Sequence, residues 1–322
     1  MKDRIIIIVN QNKIIGQGHV SRMISLSQIL INSFNIFFYS IIENKLLERK
    51  VKEEGVKIIK PSLKNRIDYL VNKNDIIVID DYDFKDFKNL KNKVKKIILI
   101  DDFGRKYKDC DYIINHSLEK RKKKFPKKYF YGFSYTLIRK KFLLNKENLN
   151  YYSSKNRSLI ICMGSSDPNN ITMKILKYCI SSNYFNVINI ITTSKFLIKS
   201  IKKLNLKANI NFCYNLNEDE IINLTLNSNL AITTSSTIAL EMCSINIPLI
   251  CGYMIDNQKL LLENLKYKNC AISIEDLNNV NENILTKSIK ETLSKKKILM
   301  NNQFKYFGNN SNDKILNIFN SC

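Results

Sequence analysis

Short apolar segments alternate with stretches of helical period along the whole chain, and this alternation constrains the fold more than any other feature. In the first half the segments are Ile5–Val9, Ile36–Tyr39, Ile76–Ile79, Ile97–Ile100 and Tyr112–Ile114. The second half repeats the pattern with Leu159–Met163, Val187–Ile191, Ile210–Cys213, Leu230–Ile232 and Pro248–Cys251. Strand-like runs separated by helices mean βαβ units, hence parallel sheets with helices on both faces. Single cores stop growing at roughly 250–300 residues, and the chain has 322. Residues 145–157, between the halves, are polar and without a clear period. The expectation is therefore an α/β protein of two Rossmann-like domains, 1–148 and 149–322, whose parallel sheets face a central cleft. Ligands of such sheets bind beyond the carboxyl ends of the strands, which is where functional residues are to be sought.

Composition narrows the function classes. A formal net charge of +23 invites a polyanion partner, since phosphate binding is largely counterion release by Lys and Arg. Lys, Ile and Asn are abundant throughout while Gly and Pro number only 8 and 4, the mark of a general compositional bias. The one dense run, Lys120-Arg121-Lys122-Lys123-Lys124, sits in an expected loop, and no nucleic-acid partner is expected. Eight cysteines occur with no C-x-x-C pair, so neither a zinc site nor a redox motif is spelled out and no metal or cofactor is expected. No apolar run approaches the ~20 residues of a membrane span, and the apolar start is too short for a secretory signal. A cytoplasmic monomer is the expectation.

After the first strand, Gly16-Gln17-Gly18-His19-Val20-Ser21-Arg22 opens an apolar-periodic helix. The glycines allow a ligand close to the backbone, and helix-start amides there suit a phosphate or sugar. As a dinucleotide fingerprint the segment is poor, with Ser21 at the third glycine position and no acidic residue closing the second strand. His19, one of two histidines, reads two ways. It is a general base kept neutral by the helix-start dipole, or a residue that merely caps the helix and supports the glycine loop. Arg22 lies one turn on, on the same face. His116 reads as a loop residue.

Acidic residues stand at two strand ends, Asp80-Asp81-Tyr82-Asp83 and Asp101-Asp102. Carboxylates there can orient a histidine, hydrogen-bond sugar hydroxyls or hold a metal, and Asp83 also suits a helix cap. Asp81-Tyr82-Asp83 resembles a D-x-D metal motif, a tripeptide too common to assign one. In the second half, Gly164-Ser165-Ser166-Asp167-Pro168-Asn169-Asn170 and Thr233-Thr234-Ser235-Ser236-Thr237 each end a strand and open a helix. Each is either an anion site or an ordinary N-cap. Glu241, further along the second helix, is placed to accept ribose hydroxyls.

Together these segments resemble the UDP-sugar hydrolase family of the pseudaminic acid pathway (PseG), which is similar to the MurG-type glycosyltransferases of GT-B fold. The resemblance covers nearly the whole chain. It rests on Gly16-x-Gly18-His19-x-x-Arg22, Asp80-x-Tyr82, Asp101-Asp102, Gly132-x-x-Tyr135-x-x-x-Arg139, Gly164-x-Ser166-Asp167-Pro168, Ser236-Thr237-x-x-x-Glu241 with Pro248, and Asn257-Gln258. It implies a GT-B-type protein that releases UDP from a UDP-linked 2,4-diacetamido-2,4,6-trideoxy sugar, with His19 activating water and inversion at the anomeric carbon. Asp80 and Tyr82 complete the implied catalytic group. The implied substrate-binding set is Gly16, Gly18, Arg22, Asp101, Asp102, Tyr135, Gly164, Ser166, Asp167, Asn170, Ser235, Ser236, Thr237, Glu241, Asn257 and Gln258. Where many relatives carry glycine or alanine before the serine of the diphosphate segment, this chain has Thr234-Ser235. A GT-B glycosyltransferase that uses an acceptor hydroxyl in place of water is the alternative.

Overall fold

The computed structural model describes all residues except 1, 11–16, 105–106, 119–127, 145–156, 165–166, 205 and 308–310. Gly16, Ser166 and the basic run at 120–124 thus lie outside the described residues. The chain divides into two compact units, Met1–Arg139 with Asn310–Cys322, and Lys140–Asn309.

In the first unit seven parallel strands form one sheet: β1 (Arg4–Val9), β2 (Asn35–Tyr39), β3 (Lys57–Ile59), β4 (Ile76–Asp80), β5 (Lys96–Ile100), β6 (Tyr112–Asn115) and β7 (Tyr129–Tyr131). Their order is β3-β2-β1-β4-β5-β6-β7. The chain winds outward from β1 to β3, then returns to β1's other side and winds the opposite way from β4. Register pairs Val9 with Asp80 and Ile100 with Ile114, so the carboxyl ends of the central strands lie level. Every residue from Ile5 to Val9 is buried, as a parallel strand covered on both faces requires. Ile5, Ile7 and Val9 share one core with Val20, Met23 and Leu26 of α1 (Gly18–Leu30). The shorter helices α2 (Lys45–Glu53), α3 (Ile67–Leu70) and α4 (Phe87–Lys91) complete this part.

The last helix, Asn312–Asn320, also belongs to the first unit. Its Ile315, Ile318 and Phe319 enter the core that holds Leu30 and Phe34, and Ser311 Oγ donates to Thr136 O at 2.9 Å. The expected division left residues 312–320 with the second domain. The helix is instead drawn to the side where its apolar stripe has partners.

The second unit holds a six-stranded parallel sheet: β8 (Ser158–Cys162), β9 (Val187–Thr192), β10 (Ile210–Tyr214), β11 (Leu230–Thr234), β12 (Leu249–Tyr253) and β13 (Ile272–Asp276). Its order, β10-β9-β8-β11-β12-β13, repeats the reversal of the first sheet. Helices α5 (Lys140–Leu144), α6 (Ile171–Ser181), α7 (Lys195–Lys203), α8 (Glu218–Leu226), α9 (Thr237–Ser244), α10 (Lys259–Tyr267), α11 (Glu282–Ser294) and α12 (Lys296–Phe307) accompany it. β12 and β13 meet at a bulge between Cys251 and Gly252. A Cβ on Gly252 would lie 2.5 Å from Leu277 Cγ and 2.8 Å from Glu275 O, so only glycine fits there. Among the described residues no helix is long and apolar enough to cross a membrane.

Candidate active site

Where a strand order reverses, the loops at the carboxyl ends part and leave a place for ligands. In the first unit this point lies between β1 and β4. The α1 helix that follows β1 begins at Gly18 with no side-chain cap and no acidic residue in its first turn, so its positive end is not neutralised by its own residues. The side chain of His19 is 14% exposed, whereas Arg22, one turn on, is buried.

A buried guanidinium must be paired, and β4 and β5 supply the partners. Arg22 Nε donates to Asp80 Oδ2 at 2.6 Å, Nη2 to Asp80 Oδ1 at 2.5 Å, and Nη1 to both oxygens of Asp102 at 2.8 Å. Asp80 ends β4 and Asp102 follows β5, neighbouring strands whose ends deliver both carboxylates to the start of α1. Burial disfavours ionisation of both acids. Against it, the Arg22 charge, with His19 beside it, holds Asp80 well below the usual carboxylate range. Asp102 is likewise lowered, by Arg22 and then His116. Arg22 itself stays charged because the two carboxylates outweigh its burial.

Nδ1 of His19 lies 2.7 Å from Asp80 Oδ1 and 3.1 Å from Arg22 Nη2. An ionised carboxylate only accepts, so Nδ1 donates to Asp80. The contact with Arg22 is then one between two donors that share an acceptor. In the neutral imidazole the lone pair is then on Nε2, and the helix-cap reading of His19 gives way to a carboxylate-oriented imidazole.

Tyr82 lies edge-on to His19, ring centroids 4.8 Å apart, and to Phe103 at 5.0 Å. Its hydroxyl donates to Asp102. Burial of the hydroxyl and the Asp102 charge push the phenol well above its ordinary range, so Tyr82 stays protonated and serves as a hydrogen-bonding group. His116 occupies a turn after β6, as a loop residue would, yet it is 3% exposed. Its Nε2 lies 3.8 Å from Asp102 Oδ1, and among the described residues its Nδ1 has no hydrogen-bond partner. Burial pushes this imidazole down to about 4, with Asp102 opposing.

Other expected residues turn away. Asp101 accepts from the amides of Phe103 and Gly104, from Asn115 Nδ2 at 3.0 Å and from the Tyr129 hydroxyl at 2.5 Å. Successive side chains leaving a strand point to opposite sides, so Asp102 reaches Arg22 while Asp101 ties β5 to β6 and β7. Tyr135 packs on Phe130, centroids 5.7 Å apart, against the first core. Asp81 takes up Asn10 Nδ2 and the amide of Asp83, both at 2.9 Å, as a turn residue does. Asn115 and Tyr129, which hold Asp101, carry no local signal that reading along the chain could detect.

The second unit has two helix starts at its own reversal, after β8 and β11, and they differ. Asp167 accepts from the amides of Ile171 and Thr172, each at 2.8 Å. A carboxylate therefore already occupies the positive end of α6, and Asp167 acts as its cap. Asn170 itself is exposed and left-handed, at φ 53°. The start of α9 has no side-chain cap, and the amides of Thr237 and Ile238 have no backbone acceptor among the described residues. Ser236 Oγ is 3.0 Å from Thr234 Oγ1. Ser235, expected to meet the ligand, points inward, its hydroxyl 3.2 Å from Gly252 O and 2.9 Å from Gln258 O. Gln258 Oε1 accepts from Met254 N at 2.8 Å, so these residues fix the loop beside the α9 start. Glu241 is buried in α9 and Asn257 is half-buried.

No family model matches the chain. An uncharacterized protein of Methanocaldococcus jannaschii is 30% identical over 279 residues, which are 80% of this chain and 57% of that protein. The chain thus spans a little over half the length of this curated relative. Among solved structures, Acinetobacter baumannii MurG superposes with a TM-score of 0.65 at 10% identity, covering 99% of this chain and 100% of MurG. Staphylococcus aureus MnaA in complex with UDP gives 0.67 at 12% identity, covering 99% and 96%. Medicago truncatula UGT71G1 with UDP-glucose gives 0.65 at 10%, covering 99% and 98%. The chain has the GT-B-type fold, built of two Rossmann-like units.

Proposed function

We propose that this chain is a UDP-sugar hydrolase that cleaves the anomeric C–O bond of a UDP-linked 2,4-diacetamido-2,4,6-trideoxy sugar. The observation that carries the reading is the 2.7 Å contact between His19 Nδ1 and ionised Asp80, which turns the Nε2 lone pair into a base. Water attacks the anomeric carbon and gives its proton to Nε2 as the bond to the β-phosphate oxygen breaks. UDP departs with the bonding electrons. A positioned base of this kind contributes about 10²–10⁴ in rate, or roughly 3–5 kcal/mol. In the second unit, the uncapped amides of Thr237 and Ile238, with the Ser236 hydroxyl, are assigned to the diphosphate of the nucleotide, as helix-start donors suit an anion. That two structures of the same fold hold UDP and UDP-glucose supports a uridine nucleotide as the ligand. Displacement in line with the leaving group inverts the anomeric centre.

The likeness to MurG favours one alternative, a glycosyltransferase in which the same base deprotonates an acceptor hydroxyl. A panel of UDP-sugars incubated without acceptor in ¹⁸O-water, with UDP and free sugar followed separately, decides between them. Hydrolysis puts the label in the anomeric hydroxyl and none in UDP. Label on phosphorus removes His19 from the mechanism, and UDP release only when an acceptor is added makes the protein a transferase.

A further inference from the structure

Arg22 is buried, and both edges of its guanidinium are engaged, one by Asp80 and the other by Asp102. Each carboxylate serves a second residue, Asp80 the imidazole of His19 and Asp102 the hydroxyl of Tyr82. Two acids that share one rigid fork cannot shift independently. A guanidinium, unlike an ammonium, fixes the plane and the spacing of the groups it binds.

We infer that Arg22 is a positioning residue that couples His19 to Tyr82 through Asp80 and Asp102, so that the tautomer of His19 depends on a carboxylate it does not touch. The inference rests on the reading of His19 as the base, but its test does not require turnover. With Asp80 locked as an anion by Arg22, Nδ1 must carry a proton, so the neutral imidazole has its lone pair on Nε2. With Asp102 locked by the same fork, the Tyr82 hydroxyl gives its proton to Asp102. The group of charges is also unequal, two carboxylates to one guanidinium. The neutral His116 leaves that inequality in place. When His19 takes a proton from water, the imidazolium meets the surplus negative charge already present, which lowers the cost of the charge that develops in the transition state.

The chain contains two histidines, so the test is clean. Full-length protein labelled with ¹⁵N-histidine is examined by long-range ¹H–¹⁵N correlation, and a His116→Asn variant identifies the signals of His19. Wild-type His19 should show a proton on Nδ1 and a bare Nε2. Asp102→Asn, which frees one end of Arg22 without touching His19, should bring in the second tautomer, and Arg22→Lys should do the same. If hydrolysis is detected, Arg22→Lys should lower kcat about 10–100-fold and change KM by less than about threefold, as misplacement of a base does. A neutral wild-type His19 with its proton on Nε2 and a bare Nδ1 overturns the inference, whether or not the variants fold. So does a single Nδ1–H tautomer in folded Asp102→Asn, which would reduce the site to an isolated Asp80–His19 pair. Absence of UDP-sugar turnover would count against the proposed function alone, because the tautomers report on the coupling by themselves.

Discussion

Asp80 Oδ1 stands 2.7 Å from His19 Nδ1, and that contact decides which nitrogen of the neutral imidazole keeps its lone pair. His19→Gln keeps a polar side chain but has no basic lone pair. It should lower kcat by about 10²-fold or more with little change in KM, because a base acts only in the transition state. Steady-state hydrolysis of the best UDP-sugar checks this, and near-wild-type turnover in a folded variant would move the base elsewhere.

His116 gives the fold an acid sensitivity of known sign. Burial holds the folded-state value down to about 4, whereas a free imidazole titrates at about 6.5. The unfolded chain therefore takes up the proton first, and stability is lost as pH falls from about 6.5 towards about 4. At about pH 4.5 the loss amounts to roughly 2–3 kcal/mol. The stability contributed by Asp80 is lost only at lower pH, since its carboxyl is held below the usual range. Urea unfolding at about pH 7 and about pH 4.5 should show this loss in the wild type and not in His116→Asn. Equal losses in both proteins would place the sensitivity in another group.

Asp167 should behave as a helix cap. Asp167→Ala leaves the amides of Ile171 and Thr172 without their acceptor and should cost about 0.5–2 kcal/mol of stability. Titration calorimetry should find UDP affinity within about twofold of wild type, since the cap acts on α6 and not on the α9 start. A large loss of UDP binding in a folded variant would restore Asp167 to the ligand site.

Gly252→Ala should be damaging in the opposite pattern. Its Cβ would stand 2.5 Å from Leu277 Cγ and 2.8 Å from a backbone oxygen, and the resulting shift should cost about 1–3 kcal/mol. Because Ser235 hangs from Gly252 O through both its amide and its hydroxyl, UDP affinity should fall with stability. Wild-type thermal stability in the variant would show that β13 gives way without cost.

The sequence by itself determined the class of fold and most of its strands. Runs such as Ile5–Val9 and Ile76–Ile79 are long enough and apolar enough that burial inside a parallel sheet is the outcome that leaves no apolar face in water. β3 and β7, three residues each, and β13, half-exposed along the sheet edge, left too weak a hydrophobic pattern to read. The glycine loop with His19 was visible because a helix start is a local event. What only the tertiary structure decided is how the polar residues are divided. Asp101 and Asp102 are adjacent and chemically identical, yet one holds β6 and β7 and the other holds Arg22. Asp167 and Ser236 both open helices, yet one neutralises its helix end and the other leaves it open. These distinctions rest on partners tens of residues away, 58 from Arg22 to Asp80 and 80 to Asp102. A buried charge is tolerated only where folding delivers its counter-charge, and the order of strands in the sheet sets where that is.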